Sequence, residues 1–254
     1  MNILGVDSSG LVASIAYVED GVLIGEYTIQ YKKTHSQTLM PMLDELKRNI
    51  ELDLNKIDGI AVAAGPGSFT GLRIGAASVK GLCLALNKPV IPVSTLEGLA
   101  YNLWASDDIV CPIMDARRQK VYTAAYRFTS CEDASKTLIN REMIEICDKD
   151  VISIEEMTEK INQYSQQEKE VPKRVVFLGD GVPVYRQVID EVMQLPHYYA
   201  PATINRQRAS SIATLGEIYM EKGLAMDADL FSPDYLRLSQ AERERKEREE
   251  GVTT

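Results

Sequence analysis

The sequence predicts an α/β protein made of one βββαβα unit used twice, the two copies facing each other across a cleft. Three observations predict it. The order strand-strand-strand-helix-strand-helix occurs once before residue 106 and once after it. In each copy the first strand ends in an aspartate, Asp7 and Asp115. In the first copy a glycine-rich stretch, Gly65-Pro66-Gly67-Ser68-Phe69-Thr70-Gly71-Leu72-Arg73-Ile74-Gly75, joins an apolar strand to a helix.

The first copy begins with apolar runs at Asn2–Asp7, Leu11–Val18 and Val22–Gln30, the last two separated by Asp20-Gly21, a hairpin-turn dipeptide. Leu39, Leu43, Leu46 and Ile50 recur at helical spacing and predict a helix over Gln37–Leu52. Thr34 and Gln37 fit a capping box at its start, and Pro41 predicts a kink or a displaced beginning. Ile57–Ala63 is the next strand. Ser68 or Thr70 can cap the helix that follows, which Asn87 ends. Pro89–Val93 is a further strand, and Ser94 with Glu97 predicts a helix to about Ala105.

The second copy repeats the order. Ile109–Asp115, Lys120–Phe128 and Asn140–Ile146 are its three strands. Ser153 with Glu156 is another capping box, opening a helix to about Gln167. Arg174–Leu178 is a strand ending in Gly179-Asp180-Gly181, and Val184–Met193 is a helix. Ser210–Lys222 is a last helix, closed by Gly223. A three-strand meander followed by βα crossovers is the ribonuclease-H-like order, and two such units give the actin-like (ASKHA) duplicated architecture. The expected organisation is 1–106, a first half carrying helices that dock a partner; 107–205, a second half; and 206–254, a helix packing back on the first half plus a charged tail.

Composition narrows the chemistry. The 254 residues carry a formal net charge of −9, which argues against strong direct binding of a nucleic-acid backbone. Arg117-Arg118 and Arg206-Gln207-Arg208 are short basic candidates, or ordinary surface. No apolar run approaches the ~20 residues of a membrane span. Four scattered cysteines, Cys83, Cys111, Cys131 and Cys147, suit a reducing compartment, so a cytoplasmic protein is expected. Phosphate and hydrolase motifs fail one by one. There is no G-x-x-x-x-G-K-[ST]; Thr70 replaces the third glycine of G-x-G-x-x-G; Pro66 and Thr70 occupy the glycine positions of G-x-S-x-G around Ser68. His35 and His197 are the two histidines, so no H-x-x-x-H pair exists to hold a metal. No catalytic residue, metal or cofactor is therefore expected. Gly71, Gly75 and Ser78 leave one side of their helix nearly bare, either for close packing inside the domain or for docking another helix.

Taken together, His35-Ser36-Gln37 with Leu39 and Pro41, the stretch Gly65 to Gly75, Asp115-Ala116-Arg117-Arg118 with Val121-Tyr122, Gly179-Asp180-Gly181, and Tyr235-Leu236-Arg237 with Ala241 resemble the TsaB (YeaZ-type) family. The resemblance implies a non-catalytic paralogue of TsaD that acts in making threonylcarbamoyladenosine in tRNAs reading codons that begin with adenosine. It implies a heterodimer with a TsaD-like protein, a TsaE-like ATPase as a further partner, a homodimer when alone, and tRNA contact only indirectly. The partner surface is then expected at His35, Leu39, Leu43, Leu46, Gly71, Arg73, Gly75 and Ser78. A competing reading is a small-molecule kinase or ATPase with a nucleotide cleft at Asp7, Ser8, Ser9, Asp115, Gly179 and Gly181. Against it, Asp180 places a carboxylate where a phosphate would pass. A glycoprotease-like peptidase is the third reading, disfavoured by the missing histidine pair.

Overall fold

The computed structural model describes residues 1–31, 34–130, 141–167 and 174–236. Cys131, Arg237 and the charged tail from Ala241 to Glu250 lie outside them. Two five-stranded sheets form, separate from one another. The first contains β1 (Asn2–Asp7), β2 (Val12–Glu19), β3 (Val22–Gln30), β4 (Gly59–Gly65) and β5 (Val90–Ser94), in the order β3-β2-β1-β4-β5. The second contains β6 (Ile109–Asp115), β7 (Val121–Ser130), β8 (Arg141–Ile152), β9 (Val175–Leu178) and β10 (His197–Tyr199), in the order β10-β9-β6-β7-β8. In each, three antiparallel strands are extended by two parallel ones. This is the duplicated actin-like α/β fold that the sequence order predicts.

The helices are α1 (His35–Asn49), α2 (Phe69–Leu86), α3 (Thr95–Tyr101), α4 (Ile154–Gln167), α5 (Val182–Val192) and α6 (Ala209–Glu221). Three apolar clusters arrange them in five layers. Helices α1 and α2 cover the outer face of the first sheet, with Leu39, Leu43, Leu46 and Val79 against Ile15, Ile60 and Val62. Helices α4 and α5 cover the outer face of the second, with Met157, Ile161 and Ile189 against Cys111, Ile113 and Phe177. Between the sheets lie α3 and α6, whose Leu96, Leu99, Ile212 and Leu215 share one cluster with Ile3, Val93, Val110 and Tyr126. By length and composition α2 is apolar enough to cross a membrane, but its apolar side is a core face against β4.

Local chemistry explains most boundaries. Asp20 and Gly21 both adopt positive φ, 48° and 75°, as the hairpin turn requires. Asn87 ends α2 in the left-handed region. The Ser153–Glu156 box closes in both directions: Ser153 N donates to Glu156 Oε2 at 2.9 Å, and Glu156 N to Ser153 Oγ at 3.2 Å. The box at Thr34 does not close, since the Thr34 side chain makes no capping bond. The start of α1 is held instead by His35, whose Nε2 donates to Gly10 O at 2.9 Å. Pro41 sits inside an unbroken α1, and the carbonyl it leaves unpaired belongs to exposed Gln37. Helix α3 stops at Tyr101, short of Ala105; beyond it the chain runs on in i→i+3 turns, and the Asn102 side chain donates to Ile204 O and Arg206 O. Strand β10, bounded by Pro196 and Pro201, is too short to announce itself in sequence; it forms by pairing with β9.

Helix α6 lies on the inner face of the first sheet at very short range. A Cβ on Gly5 would fall 2.2 Å from Ala209 O, and one on Gly216 would fall 2.6 Å from Ala61 Cβ. Its first turn is capped by the sheet itself: Ser14 Oγ accepts from Ala209 N at 2.9 Å, and Glu26 Oε1 from Ser210 N at 3.0 Å. Gly5→Ala is therefore expected to destabilise the chain by about 1–3 kcal/mol in urea unfolding. Gly81→Ala, in a helix interior where nothing lies within 4 Å, should stabilise it by about 0.5–1 kcal/mol in the same assay.

Candidate functional site

The two sheets leave between them a cleft of about 790 Å³. Its walls are the β1–β2 turn (Ser9, Gly10, Leu11), the start of α2 (Gly67, Ser68, Phe69), the β6–β7 turn (Asp115 to Arg117), Asp180, and Arg206-Gln207. The chain's own Asp234-Tyr235-Leu236 completes the mouth. Asp234 N donates to Ala64 O at 2.7 Å, and its carboxylate meets Lys149 of β8 at 2.5 Å, so this segment ties the two halves together. Tyr235 packs on Phe69 with ring centroids 4.9 Å apart, and the Arg73 guanidinium lies over the Phe69 ring at 4.0 Å from its centroid.

Asp7, Ser8 and Ser9 are buried at the root of the first turn. Asp7 Oδ1 accepts from Ser9 N at 2.9 Å and from Ser9 Oγ at 2.6 Å, closing the turn on itself. Ser8 Oγ donates to Gly71 O at 2.9 Å. Asp7 and Ser8 do not line the cleft. Across it, Asp115 Oδ1 accepts from Arg117 N at 2.9 Å and from Tyr185 Oη at 3.3 Å, while Asp180 Oδ1 accepts from Asp115 N at 3.2 Å. Gly179, at φ 106°, and Gly181 fold tightly onto Ile113, whose carbonyl accepts from Gly181 N at 3.0 Å. Of the residues expected at a nucleotide cleft, the structure thus brings Ser9 and Asp115 to its walls. Asp7 and Ser8 support the first turn, and the two glycines support the strand end that presents Asp180.

This arrangement does not fit the metal-bound nucleotide that the fold family implies. The carboxylate that would hold such a group through the first turn is committed to Ser9 inside the protein. Burial pushes the Asp7 carboxyl from 3.8 up to about 6, against the opposing pull of its two Ser9 hydrogen bonds. Asp115 and Asp180 also bring two carboxyl groups to the cleft side of the second half, a poor surface for phosphate.

The residues expected to dock a partner also divide. Leu39, Leu43 and Leu46 are buried in the core beneath α1. Gly71 and Gly75 are buried as well, and the bare side of α2 is filled from within: a Cβ on Gly71 would fall 2.1 Å from Ser8 O, and one on Gly75 2.3 Å from Ser8 Oγ. The docking role at these five positions is corrected to internal packing: the leucines fill the core against the first sheet, and the first turn already occupies the space at the two glycines. His35 is half-buried at the cleft, Ser78 is half-buried, and Arg73 is exposed. The outward side of α2 carries Arg73, Ala77, Gly81 and Leu84, all exposed, at spacings of four, four and three.

Sequence reasoning missed Gln207 as a site residue and placed it only in a basic triplet. Its neighbours are tied down: Arg206 Nη1 donates to Gly179 O at 2.7 Å, and Arg208 pairs with Glu26. Only the fold reveals Gln207 at the cleft, since nothing local marks it.

Residues 23–245 match the family model described as TsaD, tRNA N6-adenosine threonylcarbamoyltransferase. The chain is 33% identical over 242 residues to tRNA threonylcarbamoyladenosine biosynthesis protein TsaB of Bacillus subtilis (strain 168), covering 95% of this chain and 96% of that one. It is 37% identical over 127 residues to the TsaB of Haemophilus influenzae, covering 48% of this chain and 52% of that one. Among solved structures, a Pseudomonas aeruginosa protein described as similar to peptidase YEAZ superposes with a TM-score of 0.74 at 25% identity, over 93% of this chain and 99% of that one.

The raised Asp7 carboxyl has a testable consequence. Between about pH 4 and pH 6 the folded chain holds a proton that the unfolded chain has released, so stability contributed by this group falls as pH rises through that window. Asp7→Asn keeps an oxygen acceptor for Ser9 and carries no charge. It should flatten this part of the pH profile and be more stable than the parent at pH 7, by on the order of 2 kcal/mol, in urea titrations at pH 4, 5, 6 and 7.

Proposed function

This chain belongs to the TsaB family of tRNA threonylcarbamoyladenosine biosynthesis proteins, and we propose that it works there as the non-catalytic partner of a TsaD-like transferase. A TsaE-like ATPase would complete the set, and the tRNAs modified would be those reading codons that begin with adenosine, with tRNA touched only indirectly. The observation that carries the non-catalytic reading is the state of the first turn. Asp7, Ser8 and Ser9 hold their own hairpin and the base of α2, which leaves no carboxylate there to position a nucleotide. The histidines point the same way: His35 stands at the start of α1 and His197 in β10, in different halves, and His197 is bound to Asp190 and Leu195 O.

The docking surface we assign is the outward stripe of α2. Arg73, Ala77, Gly81 and Leu84 form a narrow, mostly small and apolar ridge, and Leu84 is 63% exposed. Small side chains let a partner helix approach closely and gain dispersion contacts along the crossing. The same stripe can pair with its own copy, since a two-fold interface needs one self-complementary patch. Homodimer and heterodimer would then compete for it.

Two experiments test this. The isolated chain should show no ATP turnover above a blank; multiple turnovers abolished by Asp7→Ala would overturn the reading in favour of a kinase or ATPase. Leu84→Asp should leave the melting temperature unchanged while co-purification with a TsaD-like protein and self-association in analytical ultracentrifugation are lost. Gly75→Leu should instead destabilise the monomer by about 1–3 kcal/mol, because it overpacks the Ser8 contact. Unchanged association of a folded Leu84→Asp chain would remove α2 as the docking surface.

A further inference from the structure

We propose that the cleft is a binding site for a neutral, phosphate-free small ligand that presents an N–H donor and an acceptor side by side in one plane, with Gln207 as its anchor. Gln207 is 1% exposed and lines the cleft. Among the described residues, neither its Oε1 nor its Nε2 has a hydrogen-bond partner. A buried carboxamide with both ends unanswered is rare in folded proteins, because the group gives up its water without replacement. The carboxamide packs against Gly10, and the backbone that carries it is held on both sides. Arg206 is held through its guanidinium by Gly179 O and through its carbonyl by Asn102, and Arg208 is held by Glu26.

The surroundings define what would answer Gln207. Its amide lies against the tip of the first turn, where the absence of a side chain at Gly10 makes the room; a Cβ there would fall 2.6 Å from Nε2. Phe69, Tyr122 and Tyr235 supply flat apolar walls. The cleft volume of about 790 Å³ lies within the range of small-molecule sites. The lining sets three carboxyl groups, Asp115, Asp180 and Asp234, against two guanidinium groups, Arg117 and Arg206, of which Arg117 already pairs with Asp115, and this balance disfavours an anionic ligand. One carboxamide matches a partner that offers a donor and an acceptor together. A second carboxamide does so, and so does the edge of a nucleobase, which glutamine engages with both of its atoms.

The test titrates the full-length chain with nicotinamide, as the carboxamide source, and with adenosine, as the nucleobase source, by isothermal calorimetry and saturation-transfer NMR. The variants are Gln207→Met, which keeps the length and removes the hydrogen bonds, and Gly10→Ala, which intrudes on the amide from the opposite side. At least one probe should bind the parent chain in the millimolar range or tighter, and bind a variant that melts at the parent temperature roughly tenfold or more weakly. Which probe binds identifies the source of the edge. Three results would overturn the proposal: neither probe binding the parent chain, equal binding by a folded variant, or adenosine 5′-monophosphate binding more tightly than adenosine. Because the readout is ligand binding by the isolated chain, it is independent of whether α2 docks a partner.

Discussion

One contact shapes this molecule: the backbone of Ser8 and Ser9 lies directly on the glycine side of α2. Ser68 N donates to Ser9 O at 2.6 Å, and Cβ atoms at Gly67, Gly71 or Gly75 would all fall within 2.3 Å of Ser8 or Ser9. Such an approach is open only to residues without side chains, which is why the helix tolerates glycines that each cost about 1 kcal/mol of helix propensity. The contact draws the first turn down onto α2, and Ser8 then hydrogen-bonds the helix backbone at Gly71. With the turn fixed there, the Asp7 carboxyl faces the Ser9 amide and hydroxyl rather than the cleft.

The two halves are joined by packing and by a few polar crossings. The layer of α3 and α6 gives both sheets a shared apolar core, so neither half closes its inner face alone. Around that core, Asn102 binds Arg206 O, Arg206 binds Gly179 O, and Asp234 bridges Ala64 and Lys149. These crossings ring the cleft. They set its width and hold Gln207 between two anchored arginines, so the same links that join the halves define the site.

Much of the fold was legible because its signals are local. Apolar runs and helical apolar spacing marked the strands and helices, Asp20-Gly21 marked a hairpin, Asn87 marked a helix end, and Ser153 with Glu156 closed the box that their spacing implies. The failures were local signals overruled from a distance. Thr34 and Gln37 have the spacing of a box, yet α1 is anchored through His35 to Gly10, twenty-five residues earlier. Past Tyr101 the α-helix gives way to i→i+3 turns, and the Asn102 side chain bonds to residues a hundred positions away. The candidate site was less legible than the fold. Asp115, Asp180 and Ser9 were marked by their turns, whereas Gln207 carried no pattern at all.

The sequence by itself determined the order of the elements other than the short β10, the duplication, the aspartates closing the first strand of each half, and the absence of phosphate-loop and paired-histidine motifs. These are fixed by residue type and short spacing, which act over a few residues of backbone. The tertiary structure alone decided which way each surface points. The glycine side of α2 could have met a partner, and it meets Ser8 instead. The leucines of α1 could have formed an interface, and they fill the core. Gln207 could have been solvated, and it is buried at the cleft without a hydrogen-bond partner among the described residues. Each outcome depends on what comes within a few ångströms after long-range packing, and a single helix or turn holds no record of that.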